Sequence, residues 1–317
     1  MTEKQLQKKL QHYYQLIKTQ QTDPITLYLQ SLAPSGRRSV KSLLTTAAEV
    51  IHFEGTLEQM PWNIIEYQHL AKIRNTLQEQ RKSANTINLT LSALRGVMKA
   101  CFNLGLINAD QLMLLNDIKR VRGNRLPSGR SLTASEVKKL YRICNQDKSP
   151  AGKRDAAIIA MMLATGIRRS EVINIKLEDY NTRNGQLNIQ AGKGNKQRTT
   201  YLNTESRRVV KKWLISRGQH DGYVFNPVTK SGTIQQRQLS SQAIYEIVRQ
   251  RAEQAQIKPC KPHDLRRTFV TRLLEAGVDI NTTRQLAGHN DIQTTARYDL
   301  RDEKMQRKAI KHAFLNN

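Results

Sequence analysis

Four side chains near the C-terminal end of the sequence are of the types that act on phosphate groups. His263 and Arg266 are three residues apart at the start of a predicted helix, so they share one face of it. His289 follows in a Gly288-His289 turn, and Tyr298 lies nine residues further on. Arginine binds phosphate with a planar fork, and an imidazole can donate to phosphate or exchange a proton with tyrosine near neutral pH. The set predicts phosphoryl transfer without a carboxylate cluster for a metal.

Three predicted helices and two turns must position these residues. The first helix follows Pro262 and stops at Ala276-Gly277, the second spans 280–286, and the third spans 294–298. The free N–H groups and positive dipole of a helix N-terminus favour a phosphate nearby. Each of the four side chains, taken alone, is more often structural. Their order along the chain is what favours one shared site.

Two upstream motifs add an arginine and a lysine. Thr165-Gly166-Ile167-Arg168 ends an apolar helix and places Arg168 at the start of the next one, where we expect Glu171 to orient an arginine rather than act as a base. Residues 187–190 and 199–202 alternate apolar and polar side chains, which predicts a β-hairpin with Lys193 at its Gly-rich tip. The tip lacks the G-x-x-x-x-G-K-[ST] string of a phosphate loop. A solvated turn lysine is the alternative for Lys193.

These five motifs, in this order, resemble the signature of the tyrosine recombinases, the family of phage integrases and Xer-type recombinases. The resemblance is clear from about residue 133 to 300. It implies a DNA strand-exchange enzyme in which Tyr298 attacks a phosphodiester and forms a 3′-phosphotyrosyl bond. No metal, ATP or other cofactor is then expected.

The resemblance also implies a role for each remaining site residue. Arg168 and Arg266 would bind the non-bridging oxygens, and His289 would add a hydrogen bond. Lys193 would protonate the leaving 5′-oxygen, while His263 would accept or buffer the proton of Tyr298.

The charge of the whole chain points to the same partner. Among 317 residues, 52 Lys and Arg against 26 Asp and Glu give a formal net charge of +26, which is typical of proteins that bind nucleic acid. No apolar run approaches the length of a membrane span, and the N-terminus has no signal-peptide pattern. Cys101, Cys144 and Cys260 lack the spacing of a zinc site, so we expect reduced thiols in a cytoplasmic protein.

The sequence predicts a mainly α fold in two domains. Residues 1–121 form a helical bundle, 122–130 a basic linker broken by Gly and Pro, and 131–317 a mixed α/β domain with a small antiparallel sheet. The resemblance implies that the bundle is the core DNA-binding domain and that 131–317 is the catalytic domain. In the bundle, one expected helix opens at Pro24 and ends before Pro34-Ser35-Gly36. Another starts at Trp62, and a further one is capped at Ser83. Thr133 and Glu136 form a capping box. The resemblance implies a C-shaped clamp around double-stranded DNA.

Further basic residues are candidate DNA contacts, although any single one also fits a solvated surface. In the bundle these are Arg37, Arg38, Lys41, Arg81, Lys82 and Arg95. Phosphate contacts of this kind position a protein without reading sequence. A predicted helix over 244–251, basic at Arg249 and Arg251, with Arg237 before it, is a candidate for the major groove.

The apolar stripe of residues 303–315 predicts a tail helix. In the family such a tail docks on a neighbouring subunit, which implies a homotetramer on two duplexes; packing on its own domain is the alternative. Three rival functions stay open. They are a catalytically silent DNA-binding regulator, a type IB topoisomerase-like relaxing enzyme, and a metal nuclease using His263, Asp264 and His289.

Overall fold

The fold was analysed in a computed structural model that describes residues 3–20, 22–123, 129–190 and 197–296. Lys193, Tyr298 and the predicted tail helix lie outside these ranges. The chain divides into two compact units, Met1–Pro127 and Ser128–Asn317. The boundary between them falls within the predicted linker 122–130.

Unit 1 is a helical bundle built around one central helix. Its helices are α1 (Glu3–Gln20), α2 (Pro24–Ser31), α3 (Pro34–Val50), α4 (Tyr67–Glu79), α5 (Ala84–Asn103) and α6 (Ala109–Asn116). Helix α5 packs against α2, α3, α4 and α6, with Leu91, Leu94 and Val97 buried in the core. Its start is fixed by Ser83, whose hydroxyl accepts from the Thr86 N–H at 3.0 Å. The predicted cap at Ser83 is therefore confirmed.

One predicted helix start in unit 1 is wrong. Trp62 begins only a short 3₁₀ turn, Trp62–Ile64, because its buried indole donates to the Leu57 carbonyl at 2.9 Å and holds a loop. Helix α4 starts five residues later, where the His69 ring accepts from the Glu66 N–H at 3.0 Å. The predicted end of α2 before Pro34-Ser35-Gly36 is confirmed. The same segment also opens α3, since proline is favoured in a first helical turn. The sequence analysis also missed α6, although its N-cap Asn108 is a residue type favoured at helix starts.

Unit 2 combines eight helices with one two-stranded antiparallel sheet in its described part. The helices are α7 (Ala134–Gln146), α8 (Pro150–Thr165), α9 (Arg169–Val172), α10 (Thr204–Arg217), α11 (Ser241–Gln254), α12 (Pro262–Glu275), α13 (Ile280–Ala287) and α14 (Ile292–Ala296). Strands β1 (Gln186–Ile189) and β2 (Arg198–Tyr201) pair with Leu187 opposite Thr200. The predicted hairpin and the mainly α fold with a small sheet are thus confirmed.

Helix α8 forms the centre of unit 2. Ala157, Ile158, Met161 and Met162 are fully buried, and the helix packs against α7, α10, α11 and α12. Burial on every side explains why this segment reads as an almost continuous apolar run. It ends at Thr165, three residues before Arg168, the first of the candidate site residues.

The segment that enters unit 2 is fastened to α12. The Asp264 carboxylate accepts from the Arg130 N–H at 3.0 Å and, at the helix start, from the Lys261 N–H at 2.8 Å. The Leu132 N–H donates to the Thr268 hydroxyl at 2.8 Å. The predicted capping box follows directly, with the Glu136 N–H donating to Thr133 Oγ1 at 3.2 Å.

Arg251 does not face a DNA groove, so that prediction is wrong. Its side chain is buried, with Nη2 at 2.6 Å from Asp147 Oδ2 and Nε at 2.9 Å from Asp155 Oδ2. An arginine fork can satisfy two carboxylates at once, and here it joins α11 to the start of α8. Arg249 is exposed and pairs with Glu246 on its own helix.

Candidate active site

Arg168 is held at the start of α9 by three hydrogen bonds. Gly166 ends α8 with φ +60°, and a Cβ there would come within 2.3 Å of the Phe269 ring, so the tight turn requires glycine. The Glu171 carboxylate accepts from the Arg168 N–H at 2.9 Å and from Nη1 at 2.8 Å. Nη2 donates to the Gly288 carbonyl at 2.5 Å. These contacts fix the guanidinium while leaving the side chain 34% exposed.

His263 and Arg266 enter the same place from the first turn of α12. Arg266 is buried, and its Nη1 donates to the Gly166 carbonyl at 2.7 Å, which ties α12 to the turn before Arg168. Together with Arg168 they line a cavity of about 370 Å³. Partial desolvation of the imidazole, then the charge of Arg266, lower the pKa of His263 below its usual value.

His289 comes from a different element, directly after α13. That helix ends at Gly288 with φ +68°, and the buried His289 ring follows, its Nδ1 lying 2.8 Å from Thr295 Oγ1 on α14. Burial, then the charges of Arg266 and Arg168, lower the pKa of His289 to about 3. The ring is therefore neutral at physiological pH.

The structure brings four of the six sequence-predicted residues together. Arg168, His263 and Arg266 line one cavity, and the hydrogen bond from Arg168 Nη2 to the Gly288 carbonyl brings the His289 turn beside it. The charges of Arg266, Arg168 and His263 accordingly contribute to the lowered pKa of His289. Lys193 and Tyr298 belong to the parts of the chain outside the described residues. In sequence, Lys193 falls between the two strands of the hairpin, and Tyr298 comes two residues after the end of α14.

Arg198 is a site residue that the sequence analysis missed. Its Nη1 and Nη2 donate to the two oxygens of Glu171 at 2.9 and 2.7 Å, a fork-to-fork pair that is nearly buried on both sides. Burial alone would raise the pKa of Glu171, but the hydrogen bond and charge of Arg198, with the Arg168 backbone N–H, lower it to about 2. Glu171 thus orients arginines, as expected. Strand alternation was the available signal, since Arg198 shares a face with the buried Thr200.

A larger cavity, of about 680 Å³, adjoins His289. Its lining comes from β2 and the residue before it, from α13 and from the turn after α13, and includes Gln197, Thr199, Thr282 and Arg284. The Arg284 guanidinium also donates to the His289 carbonyl at 3.3 Å, so one wall of the cavity supports the turn that carries this histidine.

The candidate DNA contacts of unit 1 fall into two groups. Arg37, Arg38, Lys41, Arg81 and Lys82 are exposed, although Lys41 pairs with Glu58 at 3.1 Å. Arg95 is half-buried and donates to the Ile118 carbonyl, so its guanidinium supports the chain after α6.

Within the described ranges, no three His, Cys, Asp or Glu side chains lie close enough together to hold a metal ion. His263, Asp264 and His289 therefore form no such group, and the Asp264 oxygens accept from backbone N–H groups instead. Among the described helices, none is both long and apolar enough to cross a membrane.

Comparison with known proteins identifies the family. The model of the phage integrase family matches residues 130–305, more than half of the chain, and that of the phage integrase N-terminal SAM-like domain matches residues 25–102. The tyrosine recombinase XerA of Pyrococcus furiosus is 33% identical over 248 residues, covering 78% of this chain and 79% of the relative. The chain belongs to the tyrosine recombinase family.

Other tyrosine recombinases are similar over most of the chain. XerC of Alcanivorax borkumensis is 27% identical over 281 residues, covering 86% of this chain and 88% of its own. Among solved structures, the Tn1549 transposon integrase in complex with transposon right end DNA superposes with a TM-score of 0.66 at 16% identity, over 92% of this chain and 99% of that one. XerH bound to its difH substrate gives 0.66 at 21% identity, over 87% and 79%. These likenesses support the recombinase fold.

Proposed function

We propose that this protein is a site-specific recombinase that cleaves and rejoins DNA strands through a 3′-phosphotyrosyl bond to Tyr298, without a metal or ATP. The observation that carries the proposal is the convergence of Arg168, His263 and Arg266 around one cavity. His289 lies beside it, directly after Gly288, whose carbonyl accepts from Arg168 Nη2 at 2.5 Å. Two fixed guanidiniums and two uncharged imidazoles suit a phosphodiester, whose charge grows in the transition state.

The two arginines bind the non-bridging oxygens of the scissile phosphate. Each guanidinium is oriented before substrate arrives, Arg168 by Glu171 and the Gly288 carbonyl, and Arg266 by the Gly166 carbonyl. A charge that is already oriented stabilises the phosphorane without the cost of reorganisation at the moment of reaction. The metal-free mechanism depends on this preorganisation.

The two histidines have different tasks. Ionising a tyrosine at pH 7 costs about 4 kcal/mol, because its free pKa is near 10. His263, kept uncharged by its lowered pKa, accepts that proton. His289 donates to a phosphate oxygen through Nε2–H, the tautomer that forms when the Thr295 hydroxyl donates to Nδ1.

Lys193 completes the first step by protonating the 5′-oxygen as it leaves. The phosphorus–oxygen bond to that oxygen breaks as the bond to Tyr298 forms, so the bond energy is conserved. The freed 5′-hydroxyl of a partner strand then attacks the phosphotyrosine and releases Tyr298. The same residues serve both directions of the exchange.

Each protomer cuts one strand, so two duplexes require four protomers, two of them active at a time. We assign residues 1–121 to core DNA binding, 122–130 to a linker and 131–317 to catalysis, the two domains clamping one duplex. The tail helix 303–315 docks on the neighbouring protomer, and the enzyme works in the cytoplasm. Support for a duplex partner comes from the relatives, such as the lambda integrase dimer bound to a COC′ core site, and from the +26 charge of this chain.

The decisive experiment traps the covalent intermediate. The enzyme is incubated with a random-sequence duplex library, protein-linked DNA is recovered after SDS, and the adducts are sequenced to give the target site. Tyr298→Phe should bind this site normally yet form no SDS-resistant complex, because only the attacking oxygen is lost. Tyr14→Phe, a change at a tyrosine that is 54% exposed, is the control and should form the complex.

The outcomes separate the rival functions. Absence of an adduct with the unaltered enzyme would support a silent DNA-binding regulator. Relaxation of any plasmid without a recovered site would support a topoisomerase-like enzyme, and loss of cleavage in EDTA would support a metal nuclease. A covalent complex that survives Tyr298→Phe would remove Tyr298 as the nucleophile.

A further inference from the structure

We propose that Arg198 is a positioning residue for strand cleavage. It fastens the lysine-bearing hairpin to the phosphate-binding Arg168 and to the turn that precedes His289. The inference rests on the proposed function and adds a residue that touches no reacting atom.

The first link runs through Glu171. Arg198 donates to both carboxylate oxygens, at 2.9 and 2.7 Å, and the same carboxylate accepts from Arg168 Nη1 at 2.8 Å. The side chains of Arg198 and Glu171 are only 9% and 11% exposed. A nearly buried carboxylate shared by two arginines can orient one of them only while the other holds it in place.

The second link runs through Gly288. A Cβ on this residue would lie 2.7–2.8 Å from Nη1, Cδ and Cζ of Arg198, so the glycine backbone packs directly against the arginine side chain. On its carbonyl side, Gly288 accepts the hydrogen bond from Arg168 Nη2 at 2.5 Å. The turn before His289 is thus held between two arginines, both of which bind Glu171.

The third link is the position of Arg198 in the hairpin. It is the first residue of β2, opposite Ile189, and lies five residues after Lys193 in the sequence. Its ion pair therefore fixes the point at which the chain returns from the hairpin tip. One side chain connects the lysine segment, the Arg168 turn and the His289 turn.

The test measures single-turnover cleavage of the recovered site by Arg198→Met. We expect a loss of about 100-fold, the scale of an ångström-level misplacement of reacting groups, with DNA affinity little changed. If Arg198 acts through Glu171, the double variant Arg198→Met with Glu171→Gln should be no slower than the slower single variant. Lys176→Met, which breaks an exposed pair with Glu178, is the matched control and should cleave at the normal rate.

A substrate with 5′-bridging sulfur separates positioning from structural support. Sulfur leaves without a proton, so it should restore most cleavage to Lys193→Ala but only part to Arg198→Met, which also loses the orientation of Arg168. Arg198→Lys keeps a cation but not the fork, and should resemble Arg198→Met. Should Arg198→Met fail to fold, Glu171→Gln alone provides the same partial-rescue readout.

Several results would overturn the inference. The first is normal cleavage by Arg198→Met, and the second is additive losses of cleavage rate in the double variant. The third is a lowered Tm of Arg198→Met together with a loss of cleavage rate that disappears at lower temperature. Complete rescue of Arg198→Met by sulfur would confine its effect to the lysine. If the unaltered enzyme still forms the covalent adduct when one of these results is found, the proposed function holds and only the role of Arg198 fails.

Discussion

At the scale of single residues, the two histidines differ in when they take up a proton. The pKa of His289 is about 3, so this ring does not titrate near neutrality. The pKa of His263 is also lowered, but this ring is more exposed to solvent than that of His289. A general base must be unprotonated to act. The acid limb of the cleavage rate should therefore belong to His263.

We predict a plateau in cleavage rate around pH 7 and a fall below the usual histidine pKa of about 6.5, with a slope of one log unit per pH unit. The sign follows from the lowered pKa, because protonation at lower pH removes the acceptor. Single-turnover cleavage should lose this limb in His263→Gln and keep it in His289→Gln. An unchanged acid limb in His263→Gln would transfer the base role to another group.

At the scale of elements, α14 and the turn after α13 are joined by one buried hydrogen bond. Thr295 is fully buried on α14, and its hydroxyl is the partner of His289 Nδ1. The bond sets both the orientation of the ring and the tautomer that can donate to phosphate. In sequence, Tyr298 is three residues beyond Thr295, so the same short helix leads to the proposed nucleophile.

Thr295→Val should slow cleavage about 10-fold, the effect of losing one buried hydrogen bond, while Thr295→Ser should retain the normal rate. The adjacent half-buried Thr294 provides the control, since Thr294→Val leaves the His289 contact intact. Rates are measured with trapped covalent complex at saturating DNA. Equal cleavage by the Val and Ser variants would show that the hydroxyl does not set the histidine tautomer.

Helix boundaries that depend on neighbouring residues could be predicted from the sequence. Ser83, Thr133 and the Gly166 turn were predicted from caps that depend on neighbours within three or four residues. The start of α4 was missed because Glu66 and His69 are unusual capping residues, while the apolar run at Trp62 suggested a helix.

Interactions between distant residues explain the remaining differences. Arg251 finds its acidic partners 104 and 96 residues away, so its basic character on a helix face was misread as an exposed DNA contact. Arg198 pairs with Glu171 across 27 residues, and the sequence analysis did not identify it as a site residue. Charge type is visible in a sequence, but its burial and partner depend on tertiary packing.

At the scale of the whole molecule, the excess of 26 positive charges should make DNA binding strongly dependent on salt. Each phosphate contact releases condensed counterions, which lowers the slope of log affinity against log salt by about 0.9. The full-length triple variant Arg38→Gln, Arg81→Gln, Lys82→Gln should therefore lose about 2 to 3 units of slope if all three exposed side chains touch phosphate.

Lys99→Gln is the control for this measurement, because Lys99 lies over the Phe102 ring at 4.6 Å and already has an intramolecular role. Binding is measured by fluorescence anisotropy across a salt series. A slope that is the same in the triple variant and the unaltered protein would remove these three residues from the proposed DNA surface of unit 1.

The hydrogen bonds from Arg130 to Asp264 and from Leu132 to Thr268 also have a mechanical consequence. They attach the incoming chain to α12 before it reaches α7, and Asp264 lies between His263 and Arg266 in the first turn of that helix. Tension on the chain ahead of residue 129 is therefore transmitted first to α12, the helix that carries His263 and Arg266. Strand transfer should be the property of this protein most sensitive to a pulling force, failing while the core around α8 is still folded.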